Sequence, residues 1–346
     1  MALASKWTLA ASAALLVPSL VLAQDDPRDS HDRSDIHIVG VPCRVKLDKL
    51  IGAKVSLQPD AADEARAQAK DKEAKRPDGE VKDFLVKRGD GHLCAAVVSV
   101  GGILGIGDKV VAVPFRTLTW QAKDERFTTN ATEEQLKRLP EFDEKSAKEK
   151  GLDQAVATAR DTWIAIWPDL KDDDPLAKTD NDPSLKDGLR SDAAREAAER
   201  EDTARVLLEG STYRVRPVNF VLASELDDHE VDDLDGKFGK VKDVVVDCNN
   251  RRVDAMLVSH GGVAGIGDTI YVLPRESLLL CSKSSDDDSC RWCVPHHSAA
   301  MEQAVVWHEP SEGVLTDEQI RSARDWCAMQ TKAELKNRET ANANGH

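Results

Sequence analysis

Aromatic residues make up only 4% of the 346-residue chain. An interior dominated by large rings is therefore excluded, and Val, Leu, Ile and Ala must fill the core. Positive charge is also in deficit. Lys and Arg number 47 against 62 Asp and Glu, a net charge of −15, and no local Lys/Arg run offsets it. Binding nucleic acid through its phosphates needs the opposite balance, so no nucleic-acid partner is expected. Beyond residue 23 no apolar stretch is long enough to cross a bilayer, which predicts no integral membrane span after that point. Catalytic sets are missing too. Ser99 and Ser259 lack a Gly-x-Ser-x-Gly elbow, and His31, His37, His92 and His229 stand isolated. The Asp runs at 172–174 and 286–288 lack the spaced ligands and closing Glu of a calcium loop. The expectation is a protein that is not an enzyme.

What is present begins with an export signal. Lys6 precedes an apolar stretch from Trp7 to Ala23, broken by Pro18, and Val21-Leu22-Ala23 forms a small-residue cleavage site before polar Gln24. Residues 1–23 read as a cleaved signal peptide, and 24–40 as a flexible mature N-terminus. The location implied is extracytoplasmic, periplasmic or secreted. An uncleaved anchor is the alternative; the short apolar stretch and its single basic flank weigh against it. All seven cysteines follow residue 23, in a compartment that permits disulfides, and the odd count leaves one over.

The chain repeats itself. "VSVGGILGIGDKVVAVP" (98–114) has a twin in "VSHGGVAGIGDTIYVLP" (258–274), at an offset of 160. Between Val81/Val241 and Leu118/Leu278 the alignment has no gap, and 15 of 38 positions are identical, which marks an internal duplication. Upstream, Leu50 and Val55 match Leu226 and Val231 at an offset of 176, so the first copy carries an Ala- and charge-rich insertion within 59–77. Downstream, "TEEQLK" at 132–137 matches "TDEQIR" at 316–321 at an offset of 184. Both are Thr-x-x-Gln helix starts, and the second copy carries its own insertion between them and the strands. Val-rich runs predict strands at 54–57, 81–87, 93–100 and 110–114, and at 230–232, 241–247, 253–260 and 269–274. Sheets this small protect their edges most simply by closing into a barrel. Between the copies, Leu152, Val156, Ala159, Trp163 and Ile166 recur at helical spacing until Pro168, and 191–210 reads as a second helix.

These residues resemble the PRC-barrel family. The resemblance rests on "LIGAKV" (50–55), "VKDFLV" (81–86), the two glycine-rich stretches, "EEQLKRLPEFD" (133–143) and, in the second copy, "SELDDHEVDDLDGKFGKVKDVVVD" (224–247). It implies a small β-barrel that docks on partner proteins, and it brings no catalytic residue. The fold class expected is mainly β with helical additions: two PRC-type barrels at 41–143 and 211–336, joined by a mostly helical acidic segment at 144–210. A disordered tail is expected at 337–346. The duplication suggests that the barrels pack together as a pseudo-dimer. The function implied is a protein-docking scaffold for an unidentified partner in the cell envelope.

Two candidate sites stand out. A phosphate loop needs a helix N-terminus after its glycines, yet strands are predicted on both sides here. Gly101, Gly102, Gly105 and Gly107, and their twins Gly261, Gly262, Gly265 and Gly267, instead read as turn residues supplying positive φ, with Asp108 and Asp268 bonding the turn's amides. The second candidate is the insertion at 281–304. Cys281, Cys290 and Cys293, with Cys327 beyond it, are disulfide candidates. Cys290, Cys293, His296 and His297 are also donors of the type that holds zinc or copper. The first reading needs no cofactor. The second gives an alternative function, a metal-binding or redox-responsive protein acting through this insertion. Trp163 and Trp167 read as packing residues.

Overall fold

The computed structural model describes residues 42–59, 78–88, 91–101, 108–173, 199, 202–203, 205–215, 220–227, 229–261, 267–282, 291–308, 310 and 314–344. The first stretch of chain gives β1 (Arg44–Lys46), α1 (Leu47–Leu50), β2 (Lys54–Gln58), β3 (Asp78–Lys87), β4 (Leu93–Val100), β5 (Lys109–Pro114), β6 (Leu118–Gln121) and β7 (Arg126–Thr132). Three helices follow: α2 (Glu133–Lys137), α3 (Glu144–Lys150) and α4 (Leu152–Ile166). The second stretch gives β8 (Arg214–Val215), β9 (Phe220–Leu222), β10 (Glu230–Asp233), β11 (Gly236–Asp247), β12 (Arg252–His260), β13 (Thr269–Pro274), β14 (Leu279–Ser282) and β15 (Arg291–Cys293), then α5 (Ser298–Met301) and α6 (Asp317–Asn344). The fold is mostly β, with a sheet curled into a half-barrel.

Two sheets share one strand order. The first runs β5-β4-β3-β2-β7-β6, and the second runs β13-β12-β11-β10-β15-β14 with β8 added at its end. The registers agree rung by rung along β3–β4 and β11–β12, while β10–β11 adds a bulge between Val231 and Asp232 that β2–β3 lacks. Val55 faces Gly79 as Val231 faces Gly239, and both long strands bulge in the same two places, between Val81 and Asp83 and between Val241 and Asp243, then between Leu85 and Val86 and between Val245 and Val246. Each bulge bends its strand and raises its twist, which is how a short sheet curls. Parallel pairing of β2 with β7 and of β10 with β15 extends each curl.

The two sheets exchange strands. β1 precedes the first sheet in sequence but pairs with β11 of the second, Arg44 opposite Asp247 and Lys46 opposite Val245. β9 precedes the second sheet but pairs with β3 of the first, Phe220 opposite Lys87 and Leu222 opposite Leu85. The two exchanges are equivalent under the offsets of 176 and 160. Between them, His92 bridges Arg252, and the N–H groups of Leu93 and Val253 donate to the carbonyls of Arg251 (2.8 Å) and Gly91 (2.9 Å). Those two residues are themselves twins, so an approximate two-fold axis passes here. Apolar residues of both sheets belong to one core.

Local chemistry explains the helices. Thr132 and Gln135 form a reciprocal capping box at α2, and Thr316 and Gln319 do the same at α6. α4 buries Val156, Ala159 and Trp163 against the first sheet, where the Trp163 indole N–H donates to the Ala112 carbonyl at 2.8 Å. Trp167 packs half-buried on the same core. The tail expected to be disordered is corrected in part: α6 continues through 337–344. It contains neither Gly nor Pro before Gly345, and the Arg338 guanidinium anchors it by donating to the carbonyls of Val206, Leu207 and Glu209.

Candidate functional site

The glycine-rich stretches join β4 to β5 and β12 to β13, so strands lie on both sides of each. Gly101, Gly261 and Gly267 have φ of +77°, +80° and +81°, a region open to glycine at no steric cost. Gly102, Gly105, Gly107, Gly262 and Gly265 lie outside the described residues. Among the described residues, Oδ1 of Asp108 and Oδ1 of Asp268 are both buried without a hydrogen-bond partner.

The insertion divides into three environments. Cys281 on β14 and Cys293 on β15 sit side by side in a buried group with Leu208 and Tyr213. The hydrogen bond that the Cys293 thiol makes to Cys281, and then burial, push the Cys293 thiol far up. His296 is buried edge-on against Trp326, with ring centroids 5.6 Å apart. Burial holds it neutral by lowering its pKa to about 4. His297 points outward, its Nδ1 2.8 Å from Asp235 Oδ1, while Asp235 Oδ2 accepts the Ser298 N–H at the start of α5. Cys327 lies on α6 in another packing group, and Cys290 lies outside the described residues. The structure therefore does not bring Cys293, His296 and His297 together. Among the described residues no group of three or more His, Cys, Asp or Glu is arranged to hold a metal.

A second pair of cysteines is adjacent that the sequence did not connect. Cys248 donates its N–H to the Cys43 carbonyl at 2.9 Å, where β1 meets β11. The only sequence signal for this was the alignment of Leu50 with Leu226, which places 43 before an exchanged element.

Buried acids mark the exchange interface. Asp83 and Asp243 are twins at the first bulge of β3 and β11, and each accepts the N–H of the next residue, at 2.7 and 2.9 Å. Asp83 also accepts the N–H and hydroxyl of Ser224, capping the turn after β9. Asp243 faces Lys46 at 3.4 Å, with Asp48 nearby. Burial, then the Asp48 charge, raise the Asp243 pKa to about 6. Asp254, 1% exposed, collects Arg44 of β1 (2.8 Å), Arg252 of β12 (3.2 Å) and Arg324 of α6 (3.2 Å). A carboxylate so buried is tolerated because three guanidiniums meet it.

The second sheet also carries a groove of about 950 Å³ between α6 and the helical residues near 207, with Leu207, Leu279, Pro295, His296, Cys327 and Leu335 in its lining. Its α6 wall, from Arg324 onward, lies beyond the residues 316–321 that match the start of α2. No helix among the described residues is long and apolar enough to cross a membrane.

The family model for the PRC-barrel domain matches residues 79–136, from β3 through α2. No curated protein matches the chain.

Proposed function

We propose that this chain is an exported, non-catalytic docking scaffold in the cell envelope, built from two PRC-type barrels of which 79–136 is the core of the first. Support for the second barrel is the rung-by-rung agreement of β3–β4 with β11–β12, down to the paired bulges. The observation that carries the scaffold reading is the reciprocal exchange of β1 and β9. It makes the two sheets a single body that can hold a partner in a fixed orientation. The groove along α6 is the docking surface assigned to that partner, since Leu207, Leu279, Pro295 and Leu335 give it an apolar lining.

The test uses the full mature chain as bait in an envelope fraction, beside an Ala328→Arg variant. Ala328 lines the groove from an exposed helix position, so the variant should keep its circular dichroism and Tm. A stoichiometric partner captured by the parent and lost with the variant supports docking in the groove. Equal capture by both moves the surface elsewhere, and no reproducible capture overturns the scaffold reading.

The contact between Cys281 and Cys293 favours a second reading, a thiol-based redox response through the insertion, over its metal-binding form. Loss of a reversible redox step in Cys293→Ala would support it.

A further inference from the structure

We propose that Cys43 and Cys248 form a disulfide that fastens the exchanged strand β1 to β11. The β1–β11 ladder runs Lys46–Val245, Val45–Val246, Arg44–Asp247, so its next rung sets Cys43 opposite Cys248. The hydrogen bond from Cys248 N–H to Cys43 O closes that rung, and Asp247 Oδ1 accepts the Cys43 N–H at 3.1 Å. Directly opposed residues on a hydrogen-bonded antiparallel rung have Cα atoms about 5.5 Å apart and side chains on the same face. That separation lies within the ~4.4–6.8 Å span of disulfides. The thiols also sense each other, because the Cys43 charge contributes to raising the Cys248 pKa.

The pair is not a requirement of the repeated fold. The equivalent sequence positions for the other exchange are Asn219 and Arg88. A covalent fastener is therefore specific to the strand nearest the chain's beginning. The inference rests on the exchange of β1, and not on the docking reading.

Chemistry orders the steps. Cys43 is half-buried and Cys248 is buried, so a small disulfide oxidant reaches Cys43 first. The Cys43 thiolate attacks one sulfur of the oxidant, the oxidant's S–S bond breaks, and the first thiolate leaves and takes a proton. Cys248 then loses its proton and attacks Cys43 Sγ, releasing the second thiol. Two protein thiols are oxidised and one disulfide is reduced. Burial and the nearby Asp247 raise both thiols above the ordinary range, so the rate should climb with pH.

The experiment uses the full mature chain, reduced, then incubated with oxidised glutathione, denatured, alkylated and digested without reduction. The expected product is a cross-linked peptide pair joining Cys43 to Cys248, formed faster at pH 9 than at pH 7. Hydrogen exchange at β11 amides facing β1 should then quicken by at least about tenfold on reduction, since a fastener across so long a loop contributes that much or more. The inference is overturned if both thiols remain alkylatable or end only as glutathione adducts, or if either joins a different cysteine. A linked pair with unchanged exchange overturns the claim that it fastens the strand. The reading is made on the parent chain, so no variant has to fold.

Discussion

At the scale of single residues, close approach of backbones decides what is allowed. A Cβ placed on Gly239 would sit 2.2 Å from the Ser259 carbonyl oxygen, and one on its twin Gly79 would sit 2.8 Å from Val98 Cγ1 and 3.0 Å from the Ser99 oxygen. Neither glycine has a positive φ, so the constraint is space and not conformation. Gly239→Ala should destabilise the chain by about 2 kcal/mol or more, as overpacking against a ladder that cannot yield does. Gly79→Ala should cost less, because a side-chain methyl can move first. Denaturant melts of the two variants check both the sign and the order. The glycines that drew notice in the sequence were the loop ones. These two, inside strands, were not singled out in the sequence, since the carbonyl that excludes a side chain belongs to a neighbouring strand.

At the scale of elements, the exchanged strands carry electrostatic consequences. Asp243 has a folded pKa of about 6, above its value of about 3.9 in an unfolded chain. The folded state thus holds its proton more tightly, and this group's contribution to stability falls as pH rises from about 4 to about 6. His296, lowered to about 4, acts with the opposite sign, its contribution rising from about pH 4 to about 6.5. The parent curve blends the two, and Asp243→Asn separates them. Relative to the parent, the variant should gain about 2–3 kcal/mol between pH 4 and pH 6.5, read from urea midpoints across that range. Much at this scale was legible in sequence. The Val-rich runs gave β4 and β13 residue for residue, and both Thr-x-x-Gln boxes cap real helices. What was hidden has a common cause. β1 and β9 are three residues each, too short to show alternation, and their partners lie far away in the chain. The parallel pairing of β2 with β7 leaves no local trace either. At the insertion, proximity in sequence suggested a shared Cys/His site, yet adjacent His296 and His297 point into different surroundings. His297 is held outward by Asp235, which with Asp233 also binds Ser298, and no cysteine takes part.

At the scale of the whole molecule, residues from 40 onward cluster as one unit, and the exchange is the reason. Each sheet lacks one of its own strands and holds one of its neighbour's. Fragments cut between them, 42–173 and 199–344, should each fail to show cooperative unfolding when isolated, and should recover it when mixed. Thermal melts of the separate and combined fragments test this. Two independent transitions in the isolated pieces would show that the exchange is dispensable.

The same exchange bears on how the chain is made. Synthesis delivers the N-terminus first, and the rung that receives β1 lies 204 residues downstream of Cys43. β1 must therefore wait, without its sheet, until the chain has emerged past Asp247. The long bulged strand β3 likewise keeps an edge bare until β9 arrives. Contacts so distant along the chain are slow to form, and bare edges invite other chains. The nascent protein is thus most exposed to mispairing before β9 and β11 have emerged, when a holding chaperone would matter most.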